Sequence, residues 1–362
     1  MSTPFFTFPA VRGIQAGKEY YISMCPLKII PKIFLFNEEE LLPEFRSQRT
    51  INKSRIPAIK SYIVNNPESY IFSSLTASID AEVEFIPISN NTEHYNIGSI
   101  KVPMSAKVVI NDGQHRRAAI ESALKERPEL GDETISIVFF IDLGLEKSQQ
   151  MFSDLNRYAI RSTKSLNVLY DHRDPFSTLV KEMILKVKVF TGMVETEKST
   201  LSNRSTKIYT LSGIFNATGE LLKDSSNLTY DGQLELAINF WNMVSENIIE
   251  WQQVIKKEIS PAQLRNNYIN AHTIALMALG KAGHDLIKYN PTDWKEHLKS
   301  LRLINWHRNN SSIWEGRVTI GGRISNSRNN LTLVTNYIKL ILGLDLNDEE
   351  KAAESNYIAK VV

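Results

Sequence analysis

The amino-acid sequence predicts an α+β protein of two domains, because segments typical of strands and segments typical of helices occupy different parts of the chain. In residues 1–145, short runs rich in Tyr, Ile, Val and Phe alternate with stretches of helical periodicity. From residue 146 onward, apolar residues recur at helical spacing almost throughout, and all five tryptophans lie in the last third of the chain. We therefore expect an α/β domain over residues 1–145 and a mainly helical domain over residues 146–362.

In the first domain, strands are predicted where β-branched and aromatic residues are bounded by turn residues. Helices are predicted where apolar side chains recur every three or four residues and so share one face. The predicted strands are residues 19–24, 28–36, 70–79, 107–111 and 135–142, and the predicted helices are residues 54–65 and 116–127.

The second domain is predicted to consist of amphipathic helices whose buried faces include the tryptophans. Residues 195–207 are polar and rich in Ser and Thr, which is typical of a mobile loop. The predicted helices are residues 231–257, 263–281, 294–304, 330–342 and 348–360.

Composition and charge exclude several classes of protein. The 362 residues are 42% hydrophobic, and 42 Lys and Arg stand against 40 Asp and Glu, so the chain is neither disordered nor a polycation. Affinity for nucleic acid must therefore come from a local basic surface. The single cysteine, Cys25, excludes an internal disulfide and a thiolate zinc site within one chain. We expect a cytoplasmic protein, since the N-terminus lacks signal-peptide features and long apolar runs are absent.

The segment VVINDGQHRRAAI at residues 108–120 predicts a strand, a tight turn and a helix that opens with arginines. Backbone amides at a helix N-terminus bind anions, and Gly113 allows a ligand to approach the backbone closely. Arg116 and Arg117 are suited to a forked contact with phosphate. In the alternative interpretation, the turn is purely structural and Asp112 pairs with an arginine.

The letters DGQHR at residues 112–116 spell the signature of the DGQHR domain family, and the chain resembles the DndB members of that family, which are associated with DNA phosphorothioation. FSDLNR at residues 152–157 and YDHRDP at residues 170–175 are similar to the segment that follows the signature there. The resemblance covers at least residues 20–180. It implies a DNA-binding regulator that represses transcription of the modification genes, with double-stranded promoter DNA as its partner.

The DGQHR unit also resembles the N-terminal fold shared by ParB and sulfiredoxin, where a turn at a helix start holds a nucleoside triphosphate. Gln114 stands where sulfiredoxin-like proteins have a catalytic cysteine, which argues against sulfinic acid reduction. The resemblance implies an alternative function, an ATPase that uses ATP and Mg²⁺ and assists DNA modification or processing. A hydrogen-bonded structural role is the alternative for His115. The implied nucleotide-binding residues are Gly113, Arg116 and Arg117, and the implied catalytic residues are Asp112, Gln114 and His115.

Basic segments predict a second candidate site, a surface for DNA. Residues 301–328 hold five arginines against one acid, Glu315, with asparagines and tryptophans interleaved, and residues 156–164 add further cations. Arginine and asparagine side chains suit contacts with phosphates and base edges. The predicted DNA-binding residues are Arg157, Arg161, Lys164, Arg302, Arg308, Arg317 and Arg323.

An alternative remains for these segments, in which they form a solvated face above a core that contains Trp306 and Trp314. A third class of function is a protein-interacting accessory subunit whose arginines face a partner protein. We expect a homo-oligomer that has DNA, a nucleoside triphosphate and other DNA modification proteins as partners, and we predict no metal site.

Overall fold

The computed structural model describes residues 4–34, 53–89, 94–143, 150–151, 154–155 and 162–361. The chain forms two compact units, Met1–Ile160 and Arg161–Val362, called unit 1 and unit 2 below. The domain boundary predicted after residue 145 falls within residues 144–149, which lie outside the described residues, and it stays a prediction.

Unit 1 contains a mixed seven-stranded sheet in the order β4-β5-β1-β2-β7-β3-β6. Its neighbouring strands are antiparallel, except for the parallel pair β3 and β7. The strands are β1 Phe5–Gln15, β2 Lys18–Pro26, β3 Leu75–Asp80, β4 Glu84–Pro87, β5 Ile97–Pro103, β6 Lys107–Asp112 and β7 Thr134–Ile141. The helices are α1 Ile30–Ile33, α2 Ile56–Asn65 and α3 Gln114–Glu126, with short 3-10 helices at Leu27–Ile29, Lys53–Arg55 and Pro128–Asp132.

Alternation of buried and exposed residues along β1 and β2 explains how the sheet forms one apolar face. The two strands meet in a tight hairpin at Ala16 and Gly17, which both have positive φ angles of 50° and 74°. Positive φ at both central residues is the geometry that matches the twist of paired strands. The buried face carries Phe8, Tyr21 and Phe139. The core of unit 1 therefore lies against this face of the sheet.

The strand predicted at residues 28–36 is wrong. Residues 27–33 form the 3-10 helix Leu27–Ile29 followed by α1, with Pro31 in its first turn, where proline is tolerated. Leu27, Ile30 and Ile33 are buried and spaced three residues apart, which is helical spacing. The strand predicted at residues 70–79 begins only at Leu75, and β1, β4 and β5 lack a counterpart among the predicted elements.

Unit 2 is mainly helical, as predicted, with small strand pairs between helices. Its helices are α4 Lys164–Tyr170, α5 Pro175–Lys186, α6 Leu211–Leu221, α7 Tyr230–Asn247, α8 Ile249–Ile255, α9 Pro261–Asn267, α10 Thr273–Tyr289, α11 Trp294–Leu298, α12 Ser311–Trp314, α13 Arg328–Ile341 and α14 Asp348–Val361, with 3-10 helices at Ile269–Ala271 and Lys299–Leu303. Strands β8 Val194–Glu195 and β9 Tyr209–Thr210 pair in parallel, and β10 Thr319–Ile320 and β11 Arg323–Ile324 pair antiparallel.

Two helices predicted as continuous are interrupted. The segment predicted over residues 231–257 breaks at Ile248, whose backbone is extended, so that α7 and α8 are separate. The segment predicted over residues 263–281 divides into α9 and α10. Apolar periodicity continues across both breaks, which is why the pattern alone did not locate them.

The tryptophans lie in the core of unit 2, as predicted. Trp241, Trp251, Trp306 and Trp314 are almost completely buried. Trp306 and Trp314 stack with their ring centroids 5.6 Å apart, and the indole of Trp314 donates a hydrogen bond to the carbonyl oxygen of Asn305 at 2.9 Å. These rings anchor part of the basic segment 301–328 to the core. None of the described helices combines the length and apolar character that crossing a membrane requires.

Candidate functional site

The DGQHR turn connects β6 to α3 through one glycine. Gly113 has a φ of 107°, in the region that disfavours side chains, and a Cβ at this position would overlap Leu75 Cδ2. Among the described residues, no side chain caps the N-terminus of α3, and its first turn contains no acidic residue. The turn therefore presents the amide end of a helix beside a glycine, which is the geometry expected of an anion site.

The side chain of Arg116 is bonded to Asp112 in the turn and to residues 73 and 74, which precede β3. Its Nη2 lies 2.6 Å from Asp112 Oδ2, and its Nη1 donates to the carbonyl oxygens of Ser73 at 2.6 Å and Ser74 at 3.1 Å, and to the hydroxyl of Ser73. This is the Asp112–arginine pair that the structural interpretation of the turn requires. The carboxylate also offsets the unfavourable position of a cation in the first turn of a helix. A nucleotide-binding role for Arg116 stays a prediction, and it requires phosphate to replace Asp112.

Arg117 points to the interior of unit 1. Its residue exposure is 9%, its Nη2 donates to the carbonyl oxygen of Phe34 at 3.0 Å, and its Nη1 lies 2.8 Å from Glu121 Oε2. A guanidinium in this position ties α3 to the residue that follows α1. The two arginines of the signature are thus directed to different partners, although they are adjacent in sequence.

The remaining candidate catalytic side chains flank the turn. Gln114 donates back to the carbonyl oxygen of Ile110 at 3.3 Å. Burial lowers the pKa of His115, the positive charge of Arg55 lowers it further, and Asp112 partly offsets both effects. The net lowering of the pKa favours the neutral imidazole, which can accept a proton. Catalytic roles for these groups stay predictions.

Sequence reasoning missed the polar groups around the turn. Asn111 is completely buried at the end of β6, and its amide donates to the hydroxyl of Ser78, also completely buried, at 2.7 Å. The carbonyl groups of residues 73 and 74 hold Arg116 in place. Neither contact could be predicted from the spacing of residues along the sequence, because the partners are more than 30 residues apart. No group of three or more His, Cys, Asp or Glu side chains in the described ranges is arranged to hold a metal ion.

The predicted DNA-binding residues have different environments. Arg157 and Arg161 lie outside the described residues. Lys164 is exposed, bonds to the amide oxygen of Asn216 and lies 5.4 Å from the centre of the Phe215 ring.

Arg317 is a buried residue with an 8% exposed fraction. Its two terminal nitrogens bind both carboxylate oxygens of Glu354, at 2.6 and 2.8 Å, and Nη1 also donates to the carbonyl oxygen of Leu333. The guanidinium lies 4.4 Å from the centre of the Tyr357 ring. These contacts join α14 to α13, so we assign Arg317 a structural role.

Arg308 and Arg323 lie together at a hairpin. Arg308 donates to the carbonyl oxygens of Asn266 at 3.1 Å and Gly322 at 2.9 Å, and Gly322 directly precedes the exposed Arg323. Glu315 is bonded inside the same hairpin, where its carboxylate accepts hydrogen bonds from the Thr319 hydroxyl and the Gly321 amide.

Arg302 is also exposed, and it donates to Asn247 Oδ1 at 2.8 Å. The exposed predicted cations of residues 301–328 are therefore Arg302 and Arg323, with the half-buried Arg308 beside the latter.

A half-buried histidine lies close to Arg265 and Arg308. His272 Nε2 is 3.0 Å from the carbonyl oxygen of Arg265. Burial lowers the pKa of His272 to about 4, and the charges of Arg308 and Arg265 contribute in the same direction. The ring is therefore neutral at pH 7, and its proton uptake is coupled to unfolding.

Replacing Arg317 by alanine should lower the free energy of unfolding by about 3–5 kcal/mol, because Glu354 would keep a partly buried charge without its partner. Replacing the exposed Arg323 by alanine should change it by less than about 0.5 kcal/mol. Urea denaturation followed by tryptophan fluorescence measures both. Equal stability of the two variants would contradict the structural assignment of Arg317.

Acid should destabilise the protein through His272. The pKa is lowered by folding, so the unfolded chain binds the proton first, and the free energy of unfolding should fall by about 2 kcal/mol between pH 7 and pH 5. Urea denaturation at these pH values should show a smaller loss in His272→Gln than in the wild type. The exposed His94→Gln serves as control and should keep the wild-type profile. A His272→Gln profile that coincides with the wild type contradicts this assignment.

Comparison with known families identifies the chain. No curated protein and no solved structure matches it significantly. Its sequence matches the model of the DndB family, described as DNA-sulfur modification-associated, over residues 8–345. This match confirms the resemblance that the DGQHR signature indicated, whereas the ParB-like character of unit 1 stays a prediction. Because the match spans nearly the whole sequence, the chain belongs to the DndB family of DNA-sulfur modification-associated proteins.

Proposed function

We propose that this protein is a DNA-binding regulator of a DNA sulfur-modification system, which represses transcription of the modification genes. Membership of the DndB family supports the association with DNA sulfur modification. The observation that carries DNA binding is the hairpin surface of unit 2, where Arg308 binds the carbonyl oxygen next to the exposed Arg323. Glu315, the one acid of the segment, is bonded within the hairpin.

The chemistry of this surface suits a phosphate backbone. Arginine keeps its charge at any physiological pH, and its planar group forms forked hydrogen bonds to phosphate oxygens. Arg308 is held by backbone carbonyl groups, which satisfy some of its N–H donors without neutralising its charge. Such a cation attracts DNA while costing less side-chain entropy on binding than a freely rotating one.

Replacing Arg308 and Arg323 together by alanine should weaken binding to the promoter duplex and reduce the salt slope. Each phosphate contact contributes roughly 0.9 to the slope of log K against log salt, so the double variant should lose about 2. Fluorescence anisotropy with the labelled promoter at several salt concentrations measures both quantities.

The matched control removes two exposed lysines, Lys256→Ala with Lys351→Ala, and should keep the wild-type slope. An unchanged slope in the arginine variant would refute this surface. Binding of a partner protein without salt-sensitive DNA binding would favour the accessory-subunit interpretation.

The second candidate function is binding and hydrolysis of a nucleoside triphosphate at the DGQHR turn, with ATP and Mg²⁺. The N-terminus of α3 without a side-chain cap, next to Gly113, favours it. The pairing of Arg116 with Asp112 competes with it, because the same guanidinium would have to bind phosphate. A homo-oligomer and complexes with other DNA modification proteins also stay predictions.

Substitutions at the DGQHR turn test whether it binds nucleotide. If the turn binds nucleotide, Asp112→Asn should tighten Mg²⁺-free ATP binding, because it releases Arg116, and Arg116→Ala should abolish it. Calorimetry measures binding, and radiolabelled phosphate release measures turnover. Thermal denaturation of both variants serves as the folding control. Two folded variants that bind ATP as the wild type does would exclude a nucleotide site at this turn.

A further inference from the structure

The loop between β8 and β9 is organised around one arginine. Residues 195–207 were predicted as a mobile loop, yet four of their backbone carbonyl groups converge on the guanidinium of Arg265 in α9. Arg265 Nη2 donates to the carbonyl oxygens of Ser202 at 3.1 Å, Asn203 at 3.2 Å and Ser205 at 2.9 Å, and Nη1 donates to that of Lys207. One side chain therefore holds residues 202–207 of this loop in place.

The charge of Arg265 is not neutralised by these contacts. Its partners are carbonyl groups, and among the described residues no carboxylate forms an ion pair with it. The next residue, Asn266, accepts a hydrogen bond from the Arg308 side chain, and Asn267 accepts one from the Arg308 backbone at 2.8 Å. The guanidinium groups of Arg265 and Arg308 thus belong to one connected region of unit 2.

Acidic side chains near this region accept hydrogen bonds from neutral groups. Glu250 accepts a hydrogen bond from the Asn270 amide at 3.0 Å, and burial raises the pKa of its carboxyl group. Glu315 is bonded within the β10–β11 hairpin. The positive charges of Arg265 and Arg308 both lower the pKa of His272. Hydrogen bonds from Thr319 and Gly321 lower the pKa of Glu315, so its carboxylate stays ionised and offsets part of the positive charge of Arg265, Arg308 and Arg323.

Arg204 is exposed in the middle of the loop, between two residues whose carbonyl groups bind Arg265. We infer that Arg265 is a positioning residue for DNA binding, which fixes the loop so that Arg204 joins Arg308 and Arg323 in one continuous surface for the phosphate backbone. This inference rests on the proposed DNA-binding function and extends its surface to a loop that the basic segments of the sequence did not include.

The first test is Arg204→Ala, an exposed substitution that leaves the contacts of Arg265 intact. It should reduce the salt slope of promoter binding by roughly 0.9, the value of one phosphate contact. The control variant is Lys256→Ala, which removes one positive charge from the exposed residue directly after α8. It should leave the salt slope unchanged. An unchanged slope in Arg204→Ala overturns the extended surface.

The second test separates positioning from charge. Arg265→Lys keeps the positive charge but cannot reach four carbonyl groups with a planar fork. In this background, the effect of Arg204→Ala on DNA affinity should shrink or vanish, because Arg204 is no longer held in place. Affinity losses that simply add in the double variant overturn the positioning role.

A readout without DNA distinguishes failure of this inference from failure of the proposed function. Trypsin cleavage after Arg204 and Lys207 should be slow in the wild type and faster in Arg265→Lys, with circular dichroism verifying that the fold is kept. Equal cleavage rates overturn the role of Arg265 in the loop, whatever the DNA result. Wild-type protein that protects the loop but shows no salt-sensitive DNA binding overturns the proposed function and with it this extension.

Discussion

Guanidinium groups bonded to backbone carbonyl oxygens hold together the segments on which both candidate sites depend. Arg116 joins the DGQHR turn to residues 73 and 74, Arg265 gathers the loop between β8 and β9, and Arg308 links α9 to the hairpin tip. Arginine suits this task because it offers five donors in a fixed plane and remains charged when partly buried. These irregular segments thereby acquire a defined backbone.

The bonding partners of these arginines also distinguish the two candidate sites chemically. At the DGQHR turn, Asp112 neutralises the guanidinium of Arg116, so an anionic ligand has to compete with a carboxylate already in place. In unit 2, carbonyl groups satisfy the donors of Arg308 while its charge remains. A polyanion gains more from the second arrangement, since no ion pair has to be broken first. This difference is the physical reason for preferring DNA binding over nucleotide hydrolysis as the proposed function.

Much of the architecture was predictable from local pattern. The α+β class, the mainly helical second part, the buried tryptophans and the strand–turn–helix at residues 107–126 follow from periodicity and turn residues. The errors have specific causes. An apolar run containing Pro31 was interpreted as a strand, although its buried residues are spaced three apart, and breaks such as that at Ile248 leave the apolar periodicity unchanged.

The sequence by itself determined the family, through DGQHR and a match over residues 8–345, and it identified the segments that carry positive charge. Only the tertiary structure decided which of these cations are exposed and can contact a ligand. Arg317 and Arg323 are six positions apart, yet the first is buried against Glu354 and the second is exposed. Exposure and ion pairing depend on partners distant in the chain, such as α14 for Arg317 and residues 202–207 for Arg265, and no local spacing encodes those contacts.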